Sequence, residues 1–436
     1  AQARGLKLAC VPSWLCTTSF MPLAAALVSG MLPQSIMHCT SRVSTATGRW
    51  RVATYASAVG RLQGEALGES GDARQPTFDV AIIAGLAALS RLAKTRCRNR
   101  PTRILLVEQG RGLGGRVCTR RVEDANGVFS FDHGCQYFTA KPTQPNFRAA
   151  VESWQGAGCV APWGGVVGTA QVDGDGRLVE QTFAAFPPSK AASLMVGLPS
   201  MSAIGRHVID EAKKVSESVT VRTGTKAAAP VWDSTNSQWQ LQVGDEVVTA
   251  SALAVATSAG SCVRLLGEHS MAGEVARTVN SNVCWAVLVA FSEPLSDIPW
   301  DAALLESASG EPTSIAWVSR NSSKPGRSES ECWILQASPE WSNPRAAWHR
   351  DDVAGALFKE FRRLLGCEVS ETAYLEAFRW NNAFPLNSPE LPDKCVTDHK
   401  QCLVAGGDWA AGNRVGDAYE SGVAVAAAVE AMLELQ

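Results

Sequence analysis

The stretch TFDVAIIAGLAALSRL, residues 77–92, constrains what this chain can fold into more than any other. Residues 78–83 form a short, mainly apolar run, the pattern of a strand buried in a parallel sheet. Residues 86–93 then carry helical spacing and helix-forming side chains. A second apolar run, 103–108, ends in an acid, Glu108. Strand, helix and strand in about thirty residues make a βαβ unit. A dinucleotide-binding chain carries G-x-G-x-x-G/A at such a strand-to-helix turn. Here one glycine is missing, because the text runs Ile82-Ile83-Ala84-Gly85-Leu86-Ala87-Ala88-Leu89. Gly85 lets the backbone approach a pyrophosphate, and Ala88 stands where a small residue packs helix tightly on strand. The helix N–H groups and positive dipole end point at the phosphates. Glu108 follows Gly85 by 108 − 85 = 23 positions, the spacing at which an acid holds the hydroxyls of an unphosphorylated ribose. Ala84 must replace the turn glycine, at a cost on the order of 1–2 kcal/mol if forced to positive φ, or the strand must end one residue sooner. Alone, a one-glycine turn is equally a feature of ordinary α/β packing.

With 436 residues the chain exceeds one ordinary core, so two domains or one large composite are expected. A formal charge of −2 gives no general attraction to nucleic acid or anionic membranes. Thirteen cysteines without a C-x-x-C pair and without clustering among the six histidines argue against a metal site and for scattered reduced thiols. Residues 1–64 hold Arg4, Lys7, Arg42, Arg49, Arg51 and Arg61 but no Asp or Glu. That is the composition of an organelle targeting leader, plastid first and mitochondrion second, the alternative being a poorly ordered extension. The apolar run 20–28 is too short to span a bilayer, so no transmembrane segment is expected. Residues 65–76 read as a linker, and 1–76 are set apart from the fold.

Residues 141–195, rich in Gly, Trp and Pro, read as strands and loops. The pattern predicts a helix over 200–213 opened by a capping serine. It predicts a small meander from 219–222, 239–243 and 252–256, and further strands at 283–291, 314–319 and 332–337. An alanine-rich helix over 417–434 closes the chain.

Glu108 runs straight into Gln109-Gly110-Arg111-Gly112-Leu113-Gly114-Gly115-Arg116. Glycines there bring the chain alongside a cofactor, and Arg111 and Arg116 can neutralise a pyrophosphate. The R-x-x-G-G-R text resembles the second signature of two-dinucleotide-fold flavoproteins, the group containing the amine oxidases. Residues 131–139, FDHGCQYFT, are similar to the F-D-H-G-A-Q-Y-F-T element of renalase-like FAD-dependent oxidoreductases. Text similar to that family follows at 317–327 (WVSRNSSKPGR), 332–342 (CWILQASPEWS) and 406–422 (GGDWAAGNRVGDAYESG). The last resembles a terminal G-D-W…A-x-x-S-G signature, so the resemblance spans roughly residues 77–432.

The resemblance implies an α/β fold: a Rossmann-like FAD-binding domain of discontinuous segments, 77–140, 196–265 and 390–436, with an inserted β-rich substrate domain, 141–195 and 266–389. It implies FAD contacts from Ala84, Gly85, Ala88, Glu108, Gln109, Arg111, Gly114, Gly115 and Arg116, and from Asp132, His133, Gly134 and Gln136. Gly407, Asp408, Ala418 and Gly422 complete the set, with Asp408 toward the ribityl-phosphate region. His133 titrates near neutrality, and reads either as catalytic or as a hydrogen-bonded structural histidine, so no catalytic residue is assigned. Trp317, Trp380, Phe384, Trp163 and Trp333 either wall a substrate cavity or fill core. Lys324 and Arg327 either hold an anionic substrate or are solvated loop charges. Asn381-Asn382 stands where a basic or aromatic pair is expected, which bears on substrate choice.

The implied activity is an FAD-dependent oxidoreductase taking a hydride from a small reduced donor, a dihydronicotinamide or an amine, and passing electrons to dioxygen. A folded relic that has lost its cofactor, serving as a binding or assembly subunit, is the alternative. An NAD-dependent dehydrogenase with one Rossmann fold leaves the carboxy-terminal G-D-W text unexplained.

Overall fold

The computed structural model describes residues 77–295, 298–366, 371–389 and 391–435. The leader and linker expected over 1–76 lie outside the described residues.

The 77–83 run forms the strand Thr77–Ile83, flanked by two parallel neighbours, Ile104–Glu108 and Glu246–Ala256. Val219–Thr223 extends the sheet beyond Ile104–Glu108, also in parallel. The long strand Glu246–Ala256 changes neighbour along its far edge: Gln238–Val243 pairs antiparallel with its first half, and Leu403–Gly406 pairs parallel with Leu253–Ala256. Five parallel strands thus end at one edge, at Thr223, Glu108, Ile83, Ala256 and Gly406. The expected meander is corrected here. Residues 238–256 form a hairpin, but Val219–Thr223 lies at the opposite side of the sheet, because its partner Ile104–Glu108 is buried on both faces and needs a second parallel neighbour.

Side chains alternate across this sheet. Val80 and Ile82 point to one face, where the helices Leu86–Leu92 and Val415–Leu433 bring Leu89, Leu92, Val425 and Val429. Ala81 and Ile83 point to the other, against Cys262 and Leu265 of helix Ala259–Leu266. The sheet is covered by helices on both faces, which is why its strands read as continuous apolar text.

A second, seven-stranded sheet runs in the order Thr372–Trp380, Cys284–Phe291, Glu331–Ala337, Ile315–Arg320, Ala302–Ser307, Val167–Val172, Ala184–Ala185. One face of Cys284–Phe291 presents Trp285, Val287 and Val289 to Val353, Leu357 and Phe361 of helix Arg350–Leu365. Its other face packs Leu288 and Ala290 on Phe129 and Phe131.

Two further expectations are corrected. Residues 141–195 are not strands and loops alone, for Pro145–Gly156 is a helix that buries Phe147, Val151 and Trp154 at i, i+4 and i+7 spacing. Pro145 suits the first helical position, where its missing N–H costs nothing. The helix expected over 200–213 spans Ser202–Val215 and has no side-chain cap. Its Ser202 hydroxyl instead accepts from the Thr119 N–H at 3.0 Å.

Candidate active site

A cavity of about 530 Å³ opens at the carboxyl edge of the parallel sheet. Ile83, Glu108, Ala256 and Gly407, at or just beyond four of the strand ends, line it. Ligands in open α/β sheets bind at such an edge, where loops and helix starts converge.

The shortened turn is built from two consecutive residues at positive φ, Ala84 at 59° and Gly85 at 92°. Ala84 takes the place of the missing glycine; its N–H donates to the Val107 carbonyl at 2.9 Å, so the turn is held to the neighbouring strand. Gly85 has no room for a side chain. A Cβ there would stand 2.7 Å from Ala256 Cβ and 3.3 Å from Ile82 Cγ2. The helix starts at Leu86, and no side chain caps it. Gly422 makes the matching close approach from the last helix, where a Cβ would meet Ala87 Cβ at 2.7 Å.

Glu108 lines the cavity half-buried, with Oε1 accepting from Gly110 N–H at 2.8 Å. Burial raises its carboxyl pKa, and the Gly110 hydrogen bond opposes this. Arg116 and Asp408 meet at 2.6 Å. The same guanidinium donates to the Ala383 carbonyl at 2.9 Å and the Asn382 carbonyl at 3.3 Å, pinning residues 382–383 to the R-x-x-G-G-R loop. Asp408 holds this charge with 7% side-chain exposure, and Gly407 N–H beside it donates to Ser421 Oγ of the last helix.

Of the sequence-predicted residues, Ala84, Gly85, Glu108, Gln109, Gly114, Gly115, Arg116, Gly134, Gly407, Asp408, Ala418 and Gly422 line one cavity together. Ala88 is not on the wall; it is fully buried core between the first helix and the sheet. Arg111 is exposed and off the lining. Asp132, His133 and Gln136 lie behind the wall that Gly134 and Cys135 form.

Asp132 is the centre of a cluster with no solvent access. Its Oδ2 meets Lys324 Nζ at 3.2 Å and Arg327 Nη2 at 2.7 Å, and its Oδ1 accepts from Thr119 Oγ1 at 2.6 Å. Burial alone would raise the Asp132 pKa; Lys324 and Arg327 lower it below the usual value. Burial brings Lys324 down to about 8. Gln136 Oε1 accepts from Lys324 Nζ and Ser319 Oγ, and Gln136 Nε2 donates to the Asp132 and Gly134 carbonyls. Lys324 and Arg327 therefore neither reach the cavity nor act as solvated loop charges, since Asp132 takes both. They join the 131–139 and 317–327 segments, fixing Gly134 from behind.

His133 is also off the cavity lining, behind Phe378 and Trp380. Its ring stands edge-on to Phe378 at 4.7 Å and lies 5.1 Å from Trp380, whose Nε1–H donates to the His133 carbonyl at 2.9 Å. Burial, then the Arg120 charge, lowers its pKa to about 4, which keeps the ring neutral near pH 7. Among the aromatics, Trp380 and Phe384 line the cavity, while Trp163, Trp317 and Trp333 are core. Sequence reasoning missed the wall made by Phe138, Phe147, Trp154, Ile204, Val208 and Tyr419. The i, i+4, i+7 spacing of Phe147, Val151 and Trp154 was the available signal.

Residues 83–154 match the model of an NAD(P)-binding Rossmann-like domain. Three solved structures resemble about four-fifths of the chain. A protein from Exiguobacterium sp. assigned as a protoporphyrinogen oxidase aligns at a TM-score of 0.59 and 11% identity, over 83% of this chain and 98% of that one. Cyclohexylamine oxidase from Brevibacterium oxydans aligns at 0.56 and 12%, over 82% and 99%. Putrescine oxidase bound to putrescine aligns at 0.55 and 11%, over 81% and 99%.

This is the amine-oxidase fold. Its Rossmann-like part supplies the strand edge and the short turn. The seven-stranded sheet supplies Phe378, Trp380 and Cys284 on the facing wall, and the last helix lines the remaining side with Val415, Ala418, Tyr419 and Gly422. Among the described residues no group of His, Cys, Asp and Glu could hold a metal ion, and no helix is long and apolar enough to cross a membrane.

Proposed function

We propose that this chain is an FAD-dependent oxidoreductase of the renalase-like kind, taking a hydride from a small reduced donor, a dihydronicotinamide or an amine, with dioxygen as the final electron acceptor. One observation carries the reading: residues from five separated stretches, 84–85, 108–116, 134, 407–408 and 418–422, converge on a single cavity. A relic free of its cofactor has no physical need for that convergence.

The cavity walls suit an elongated dinucleotide. Gly85 and Gly422 let the first helix, the last helix and the sheet approach closely behind the turn, which sets the start of the first helix at the cavity. Glu108 offers a carboxylate to ribose hydroxyls, with one oxygen already oriented by Gly110. Bound there, FAD would supply the redox chemistry, accepting two electrons with the hydride and returning them to dioxygen as hydrogen peroxide. The Arg116–Asp408 pair fixes the loop before Trp409 against residues 382–383, and so holds the cofactor wall to the substrate wall. The aromatic lining excludes water from the donor. Hydride transfer from a dihydropyridine needs no acid or base, which agrees with a buried, neutral His133 off the cavity lining.

We assign 77–140, 196–265 and 390–436 to cofactor binding and 141–195 with 266–389 to the substrate side, and the acid-free leader to organelle targeting, plastid first. The test is the visible spectrum of the purified full chain, with the flavin released on denaturation. About one FAD per chain, bleached anaerobically by a dihydronicotinamide or an amine, is expected. A well-folded, colourless protein that takes up no added FAD favours the relic, and the short turn around Ala84 would then be its cause.

A further inference from the structure

Residues 91–103 carry Arg91, Lys94, Arg96, Arg98, Arg100 and Arg103 and no acid, a concentration that the chain's formal charge of −2 conceals. They lie between the first helix and the strand Ile104–Glu108. That strand runs toward the cavity, which its last residue lines. The basic segment therefore stands at the opposite, amino edge of the parallel sheet, about 13 Å of strand away from the site.

The segment is a hairpin fixed to that edge. Arg96–Cys97 pairs antiparallel with Arg100–Pro101, leaving Arg98-Asn99 as a two-residue turn. Thr95 and Thr102 close its base: their hydroxyls meet at 2.8 Å, and Thr95 Oγ1 donates to the Leu92 carbonyl at 2.7 Å. Asp79, on the first strand, accepts from both terminal nitrogens of Arg100 at 2.6 and 2.7 Å and from the Arg103 backbone N–H at 2.8 Å.

The available acids do not balance these cations. Arg91 pairs with Glu430, while Arg100 and Arg103 share the single carboxylate of Asp79. Six cations against two carboxylates leave a net charge of +4. Lys94, Arg96 and Arg98 are exposed, and no ion pair among the described residues takes them. The helix Ser202–Val215 runs parallel to the first helix, since Gly205 stands against Leu86 and Ala212 packs in one cluster with Leu92. It ends at the same edge with Lys213 and Lys214 against Asp210, Glu211 and, just beyond, Glu217, so the surplus belongs to the hairpin alone.

The turn itself is not built for stability. Arg98 has φ of 49° and Asn99 of 67°, the two consecutive left-handed residues of a type I′ turn. Asn, Asp and Gly are favoured in such turns; Asn99 conforms and Arg98 does not. Arg96 donates to the Asn99 carbonyl, so two like charges are held at one turn. A strained, self-repelling arrangement on a rigid base points to something outside the hairpin that gains from it.

We propose that this hairpin docks the protein on an anionic membrane surface, with Lys94, Arg96 and Arg98 among the head groups and the cavity at the far end of the strands. A surplus of four cations is enough for such a surface to attract. Val215, more than half exposed at the same edge, adds an apolar contact. Nucleic acid fits less well. No aromatic residue lies between Phe78 and Phe129, so the hairpin offers no stacking platform for a single strand. A ribbon of two residues per strand is also too short to follow a duplex groove. The proposal does not depend on the flavin reading.

The test is co-sedimentation of the full chain with phosphatidylcholine vesicles, with and without about 30% phosphatidylserine, at low and high salt. Binding to the anionic vesicles alone, weakened by salt, is expected. Residues 1–64, with cations of their own, are common to every variant, so differences between variants read the hairpin. Replacing Lys94, Arg96 and Arg98 together by Gln should cut binding roughly hundredfold, at about fivefold per charge. A control of equal charge change on other exposed residues, Arg121→Gln with Arg148→Gln and Lys359→Gln, should leave it within about threefold. Arg98→Asn separates docking from folding: it suits the turn, and should keep or raise the melting temperature while weakening vesicle binding about fivefold. No binding to anionic vesicles, equal binding to neutral ones, or a hairpin variant no weaker than the control overturns the proposal. Tighter, hairpin-dependent binding to duplex DNA or to polyglutamate than to vesicles assigns the cluster to another partner and overturns it too.

Discussion

Substitutions at Ala84 and Gly85 should move stability in opposite directions, although the two residues are adjacent and both sit at positive φ. For Gly85→Ala two costs combine. The left-handed backbone penalises an L-side chain by about 1–2 kcal/mol. The new Cβ would stand 2.7 Å from Ala256 Cβ, inside a sheet end with no slack, and overpacking of that kind costs about 1–3 kcal/mol. Together they give about 2–5 kcal/mol of destabilisation. For Ala84→Gly the same backbone strain of about 1–2 kcal/mol is released, offset by about 0.5–1 kcal/mol of added chain entropy in the unfolded state. The net is neutral to about 1.5 kcal/mol stabilising. Urea denaturation monitored by tryptophan fluorescence, with flavin content measured in parallel, reads both. Gly85→Ala should lose flavin as well as stability, since the helix start must shift. If Gly85→Ala kept its denaturation midpoint and its flavin, or Ala84→Gly were destabilised by more than about 1 kcal/mol, the two-residue turn argued here would be wrong.

Asp408→Asn should cost about 2–3 kcal/mol and reduce flavin retention, short of the full penalty for a buried pair because Arg116 keeps 30% side-chain exposure; a double-mutant cycle with Arg116→Met checks the coupling. Asp132→Asn leaves Lys324 and Arg327 enclosed without their carboxylate and should destabilise by about 3–5 kcal/mol, read by thermal melting. His133 has its folded pKa lowered from 6.5 to about 4, so the unfolded chain binds more protons between those values. Stability from this site is therefore full above about pH 6.5 and lost as pH falls to about 4, up to about 3 kcal/mol, and melting curves of His133→Gln should be flatter across that window. Glu420 accepts from Phe147 N–H at 3.0 Å and Asn146 Nδ2 at 2.7 Å at the start of the helix Pro145–Gly156, and Glu420→Ala should cost about 1–2 kcal/mol in the same melts.

The parallel core was legible because local chemistry and tertiary role coincide there. Residues 80–83, 104–107 and 252–256 are apolar on both faces, and a helix-covered parallel sheet accepts such text. The helix Arg350–Leu365 went unread, although it carries Asp351 and Asp352 in its first turn, Arg362 and Arg363 in its last and Gly366 at its left-handed end. Those end signals outweigh its interrupted apolar stripe. Val219–Thr223 was readable as a strand but its place was not, since pairing is decided by which edge is vacant once the sheet forms. At the site, the backbone-defined positions were legible because a glycine or a strand-ending acid has few other reasons to stand where it does. The roles of Asp132, Lys324 and Arg327 were not. Charged text gives no hint that Lys324 and Arg327 share one enclosed cluster with an acid 192 and 195 positions before them.

That cluster also explains why a motif can be strongly patterned and still lie off the reaction surface. Of FDHGCQYFT, Gly134, Cys135 and Phe138 reach the cavity, and the first two are the tight points. A Cβ on Gly134 would stand 2.2 Å from the Arg116 carbonyl, and Cys135 N–H donates to that same carbonyl at 2.8 Å. The wall is thus one peptide thick, with Arg116 bound to Asp408 in front and Asp132 bound to Lys324 and Arg327 behind. Two charge clusters of opposite construction, a single pair lining the cavity and a sealed triad in the core, clamp the same two residues. A backbone held from both sides has little freedom to adapt to what lies in the cavity. Selection among ligands must then come from the walls that are not clamped: the aromatic face and Arg414 beside it.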